Sequence, residues 1–116
     1  MTEFDDVALK PFTRRVLQLI VAIPEGRVAT YGDIAAAAGS PRASRQVVRV
    51  LHSMSRKYGL PWHRVVNKSG AIALSDSASF ERQLSLLLME GVEVKESGQI
   101  AGFDACRWLP LLSEPG

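Results

Sequence analysis

The chain has 116 residues, 47% of them hydrophobic, a mean hydropathy of +0.05, and a net charge of +2 from 14 Lys/Arg against 12 Asp/Glu. That length suits one domain over residues 1–116 with a core over 12–108, and no apolar run approaches the roughly 18 residues of a membrane helix. The single cysteine, Cys106, cannot pair within the chain, and two histidines provide no zinc framework, so disulfide, metal and cofactor roles are not expected.

The first residues lack the basic-then-apolar order of a secretory signal, so a cytoplasmic protein is expected. Charge is unevenly spread. Residues 1–65 carry ten Lys/Arg and five Asp/Glu, whereas residues 66–116 carry four and seven. Between Ile34 and Ser75 stand Arg42, Arg45, Arg49, Arg56, Lys57, Arg64 and Lys68 with no acid at all. A one-signed block of this kind is either a footprint for a polyanion or a solvated surface with no partner, and charge alone does not separate the two.

In chain order, residues 11–23 place Phe12, Val16, Leu19, Ile20 and Ile23 on one face of an amphipathic helix that ends at Pro24. Thr30 and Asp33 have the spacing of a capping box, which predicts a helix over residues 31–38 stopped by Gly39. Ser40-Pro41 reads as a fresh N-cap with proline at the first helical position. On a helix starting there, Arg42, Arg45, Arg49, His52 and Arg56 form one stripe, opposite Val47, Val50, Leu51 and Met54. Two short helices joined through Ala38-Gly39-Ser40-Pro41 make a helix-turn-helix candidate, and small Ala43 and Ser44 would let its backbone approach a partner closely.

Beyond this helix, Asn67-Lys68-Ser69-Gly70-Ala71-Ile72 predicts a hairpin-like turn between two β-type runs. Residues 78–90 predict a helix with Phe80, Leu84, Leu87 and Leu88 on its core face and Gly91 as C-terminal cap. Residues 92–97 and 100–103 suggest a closing hairpin or extended tail with Trp108 packed on it. The expected fold is mostly α with a minor β component.

Leu60-Pro61-Trp62-His63-Arg64-Val65-Val66 carries the pair that invites a chemical reading. Glu90 could orient His63, as carboxylates orient catalytic imidazoles. The nucleophile is harder to find: Ser69 and Ser75 lie in no elbow motif, and Cys106 is remote, with only Arg107 beside it. His63 and Arg64 could equally be structural, bonding backbone carbonyls across a turn.

Pro61-Trp62-His63-Arg64-Val65 resembles the Pro-Cys-His-Arg-Val motif of O6-alkylguanine-DNA alkyltransferases, with Trp62 where the alkyl-accepting cysteine stands. Ile23-Pro24-Glu25-Gly26-Arg27-Val28-Ala29-Thr30-Tyr31-Gly32-Asp33-Ile34-Ala35 resembles that family's approach to its helix-turn-helix. Pro41-Arg42-Ala43-Ser44-Arg45-Gln46-Val47 is similar to its recognition helix, and Glu90-Gly91-Val92-Glu93 to the end of its last helix. With no counterpart of the N-terminal domain of those enzymes, the chain is most similar to the alkyltransferase-like proteins, which bind damage without repairing it.

The resemblance implies a monomeric, winged-helix-like domain that docks in the minor groove of duplex DNA containing O6-alkylguanine. Thr30, Tyr31, Arg42, Ala43, Ser44, Arg45, Gln46 and Arg49 are then the DNA-contacting set, with Arg45 the finger that replaces the flipped nucleotide. Tyr31, Trp62, His63, Arg64, Val65, Ser75 and Glu90 become the lesion pocket, with Trp62 as its aromatic wall and the polar trio as its frame. No catalytic residue is implied. The resemblance also implies handover to nucleotide excision repair proteins of the UvrA type. Two departures stand out: Ser75 occupies a loop position where some alkyltransferase-like proteins carry arginine, and Val48 falls where related recognition helices often carry glycine. The competing expectations are alkyl transfer to Cys106, an enzyme using His63, and a sequence-specific regulator that reads the major groove.

Overall fold

The computed structural model describes residues 9–110. Its elements are α1 (Pro11–Ala22), β1 (Ala29–Thr30), α2 (Tyr31–Ala37), α3 (Ser44–Tyr58), β2 (Val65–Val66), α4 (Ser77–Met89) and α5 (Phe103–Cys106). The architecture is mostly helical with one two-stranded parallel sheet, Ala29 opposite Val65 and Thr30 opposite Val66. A parallel pair needs a long crossover, and α2 with α3 supply it. The pairing sets the start of α2 beside the Trp62–Arg64 segment, a single turn of 3-10 helix.

α1 buries Val16, Leu17 and Ile20 against α2 and α3 in a core that also takes in Ile34, Ala35, Val47, Val50 and Val65. A second cluster of Val28, Val66, Ile72, Leu87, Val92 and Ile100 lies under α4. β2 feeds both clusters through Val65 and Val66, as do Ala29 of β1 and Val28 just before it, so the sheet is the seam between them.

The capping box at α2 forms as its spacing predicts: Asp33 N–H donates to Thr30 Oγ1 at 2.9 Å, and Thr30 N–H donates to Asp33 Oδ2 at 3.1 Å. Arg107 adds a bidentate pair to the same carboxylate at 2.9 and 2.6 Å. Its backbone neighbours run along β1, with Val28 N–H donating to Cys106 O and Trp108 N–H to Val28 O. The end of the described chain is therefore tied to the first helix of the helix-turn-helix.

The next helix starts later than expected. Gly39, at φ +98, and Ser40 close α2 through Gly39 N–H to Ala36 O and Ser40 N–H to Ala35 O, a Schellman arrangement. Ser40 is thereby committed to ending α2, and its own carbonyl accepts Ala43 N–H in a turn through Pro41 and Arg42. Helical bonding resumes only from Ala43, so Ser40 is not the cap and Arg42 precedes α3. Arg45, Arg49, His52 and Arg56 nevertheless form an exposed stripe on α3, with Val47 and Val50 buried behind it.

Two further expectations are corrected. The Asn67–Ile72 turn forms, with Asn67 Oδ1 accepting Ser69 and Ala71 N–H groups, but its flanks do not pair as a hairpin. Val65–Val66 pairs with β1, whereas Ala71 bridges Gln99. The closing hairpin is reduced to a bridge between Val94 and Ile100, and Phe103 begins α5 instead of ending a strand. On α4, Leu88 is 51% exposed while Gln83 is buried, which rotates the inward face toward Phe80, Gln83, Leu84 and Leu87.

Gly70 holds the turn at φ +79, and a Cβ there would penetrate the Phe103 ring. Gly70→Ala combines left-handed strain with overpacking and is expected to lower unfolding stability by about 2 kcal/mol. Denaturant titration checks this; an unchanged midpoint would mean that α5 is not seated on the turn.

Candidate nucleic-acid interface

One side of the molecule carries the helix-turn-helix. Arg42, Arg45, Gln46 and Arg49 are exposed, and Ala43 and Ser44 are partly so at the start of α3. None of the three guanidinium groups makes a hydrogen bond or ion pair among the described residues. Thr30, of the DNA-contacting set expected from sequence, is buried with its side chain committed to the cap, while Tyr31 stands half-buried next to it.

Beside this face opens a cleft of about 990 Å³. α3 forms one wall with Val48, Leu51, His52, Ser55 and Arg56; the loop of residues 73–76 and the first turns of α4 form the other. Tyr31, Trp62 and Val65 reach it from the sheet region. Burial raises the Tyr31 hydroxyl above its ordinary pKa.

Ser75 lies on the outer wall, but His63, Arg64 and Glu90 do not line the cleft. They stand behind it. His63 Nε2 is 2.7 Å from Glu90 Oε2, and Arg64 donates to both carboxylate oxygens, from Nε at 3.0 and 3.2 Å and from Nη2 at 2.7 Å. Gly26 N–H donates to Glu90 Oε1 at 3.1 Å, and Arg64 Nη1 donates to Ile23 O at 2.9 Å.

Glu90 therefore joins the end of α4 to the turn after α1 and to the segment that carries Trp62. Burial alone would raise its pKa. The Arg64 and His63 contacts and the Gly26 N–H outweigh this and hold it at about 2. A carboxylate at a helix C-terminus meets the unfavourable end of the helix dipole, so these donors are what keep it ionised there.

Gln83 completes the frame and was not anticipated from sequence. Its buried amide donates to His63 O at 3.0 Å and to Val65 O at 3.1 Å, clamping the backbone on both sides of Arg64. A polar residue in the middle of the Phe80–Leu84–Leu87 face was the available signal, because a buried amide must find partners. Arg56, His52 and Arg82 are also on the cleft; the first two were read only as part of the surface stripe.

The arrangement supplies a cleft lined by Tyr31 and Trp62 beside a cationic helix face. Cys106 lies on α5, packed against the second cluster and absent from the cleft lining. Burial pushes its thiol above the ordinary range, the wrong direction for a reactive thiolate.

Comparison with known proteins places this geometry. The Escherichia coli DNA base-flipping protein is 55% identical over 89 residues, covering 77% of this chain and 68% of its own length. Alkyltransferase-like protein 1 of Schizosaccharomyces pombe is 39% identical over 87 residues, covering 74% and 81%. Its structure in complex with damaged DNA containing O6-carboxymethylguanine superposes with a TM-score of 0.74 at 36% identity, covering 85% of this chain and 95% of that one. The Mycobacterium tuberculosis O6-methylguanine methyltransferase gives 0.58 at 29% identity over 71% of this chain and 49% of its own. Residues 11–92, which run from α1 through the helix-turn-helix to the Glu90 hub, match the DNA-binding domain of 6-O-methylguanine DNA methyltransferase, and the chain belongs to that family.

Proposed function

We propose that this protein recognises O6-alkylguanine in duplex DNA without repairing it. The recognition helix docks in the minor groove, Arg45 fills the space of the extruded nucleotide, and the alkylated base enters the cleft against Trp62 and beside Tyr31. A planar cation partly restores the stacking that flipping disrupts. The single observation that carries the reading is Trp62 on the cleft, directly before a His63–Glu90–Arg64 hub that has no thiol to activate. The bound lesion is then handed to nucleotide excision repair proteins of the UvrA type, and UvrA should slow release of the protein from a lesion duplex.

The test uses a duplex with a labelled methyl group on O6 of one guanine. The protein should bind it more tightly than the undamaged duplex and leave the label on the DNA; stoichiometric transfer of label to protein would overturn the reading. Equal binding of damaged and undamaged duplexes, with preference for one sequence, would favour a regulator instead. Trp62→Ala should weaken lesion binding about tenfold, in keeping with base–aromatic contacts of about 1–3 kcal/mol, with little effect on undamaged DNA.

A further inference from the structure

The cleft is not electrically neutral. Arg56 of α3 and Arg82 of α4 both line it, with His52 nearby, against one carboxylate, Asp76. Asp76 is occupied as the N-cap of α4, where it accepts Ser79 N–H at 2.9 Å. Neither cleft arginine has a hydrogen bond or ion pair among the described residues, whereas Arg64 and Arg107 each hold a carboxylate. Two guanidiniums on an open cleft with no partner of their own are poised for an anion.

The two differ in what they can reach. Arg56 continues the stripe of Arg45, Arg49 and His52, so a duplex phosphate is its natural partner. Arg82 stands on α4, outside that stripe, on the wall that also carries Ser75. We infer that Arg82 is a specificity-determining residue that contacts the O6 substituent of the extruded base, so that the cleft favours adducts bearing a carboxylate over neutral ones of similar size. The inference rests on the proposed recognition of O6-alkylguanine and adds the chemical class of the preferred lesion.

Fluorescence anisotropy at about 0.15 M salt, where exposed charges are screened over about 8 Å, compares duplexes with O6-carboxymethylguanine, O6-(2-hydroxyethyl)guanine or guanine. The wild-type protein should bind the carboxymethyl duplex about tenfold more tightly than the hydroxyethyl duplex, the scale of one charge-assisted hydrogen bond. Arg82→Gln should abolish that ratio and leave the hydroxyethyl affinity nearly unchanged, and Arg82→Lys should retain part of it. Arg82 is exposed and unpaired, so these variants should unfold at the wild-type temperature.

Equal wild-type affinity for the two adducts would overturn the inference while leaving adduct recognition intact. So would an Arg82→Gln variant that weakens all three duplexes alike, which marks a phosphate contact, or loss of the ratio in Arg56→Gln but not in Arg82→Gln. If neither adduct were preferred over guanine, the proposed function and this inference would fall together.

Discussion

Replacing Glu90 by glutamine is expected to lower unfolding stability by about 3–5 kcal/mol, the range for breaking a buried pair from one side. The Glu90 side chain is only 12% exposed and is gripped by His63, Arg64 and Gly26 N–H together. Without its charge, Arg64, itself 16% exposed, remains beside a neutral amide with most of its desolvation uncompensated. Against a domain stability of about 5–15 kcal/mol this is a large fraction, so a urea midpoint will register it clearly.

The same residue fixes an acid limb. Glu90 has a pKa of about 2 when folded and 4.5 as the ordinary value. A depressed carboxylate contributes stability that is fully present above the ordinary pKa and is lost as pH falls through the folded one. The window is therefore from about pH 4.5 down to about 2, and the amount involved is about 3 kcal/mol. In Glu90→Gln that part of the pH dependence should vanish. A variant whose acid unfolding curve parallels the wild type would show that Glu90 is not the group that titrates.

The hub was half legible in the chain and half not. The His63–Glu90 contact could be anticipated because an imidazole beside no metal and no thiol needs an orienting acceptor, and Glu90 closes the helix that follows. Gln83 and Gly26 could not be placed the same way, because the Gln83 amide finds backbone carbonyls and Gly26 offers only its backbone N–H to Glu90, and the positions of those backbone groups depend on packing. The parallel pairing of β1 with β2 was hidden for a related reason. Each strand is two residues long, too short for a period-two pattern, and its register is set by the helices between the strands.

The helices show what local pattern does and does not specify. The Thr30–Asp33 box was readable because both of its bonds lie within four residues. Ser40-Pro41 carried an equally plausible local signal for the start of α3, and it was overridden because Ser40 N–H is taken by Ala35 O in ending α2. The same competition explains Leu88: its spacing matches the core stripe, but the buried Gln83 amide turns α4 so that Leu88 faces outward.

The arginine stripe separates two kinds of contact that one binding curve confuses, and substitution at Arg45 should resolve them. Arg45 is the second residue of α3, exposed and free of partners among the described residues, so Arg45→Ala costs nothing that the folded protein uses internally. Its loss should weaken binding to an O6-methylguanine duplex by on the order of a hundredfold, the scale of the unstacking that an inserted side chain offsets. Undamaged DNA should bind almost as before.

Arg42→Ala provides the contrast. As a phosphate contact it should weaken both duplexes alike and reduce the slope of log affinity against log salt by about 0.9. The discriminating quantity is the ratio of damaged to undamaged affinity across a salt series. Arg45→Ala should collapse that ratio with the slope reduced by no more than one unit of charge, whereas Arg42→Ala should leave the ratio intact. If both variants lowered both affinities in parallel, Arg45 would be one more cation on the groove, and the nucleotide in the Trp62 cleft would need another residue to hold its place in the duplex.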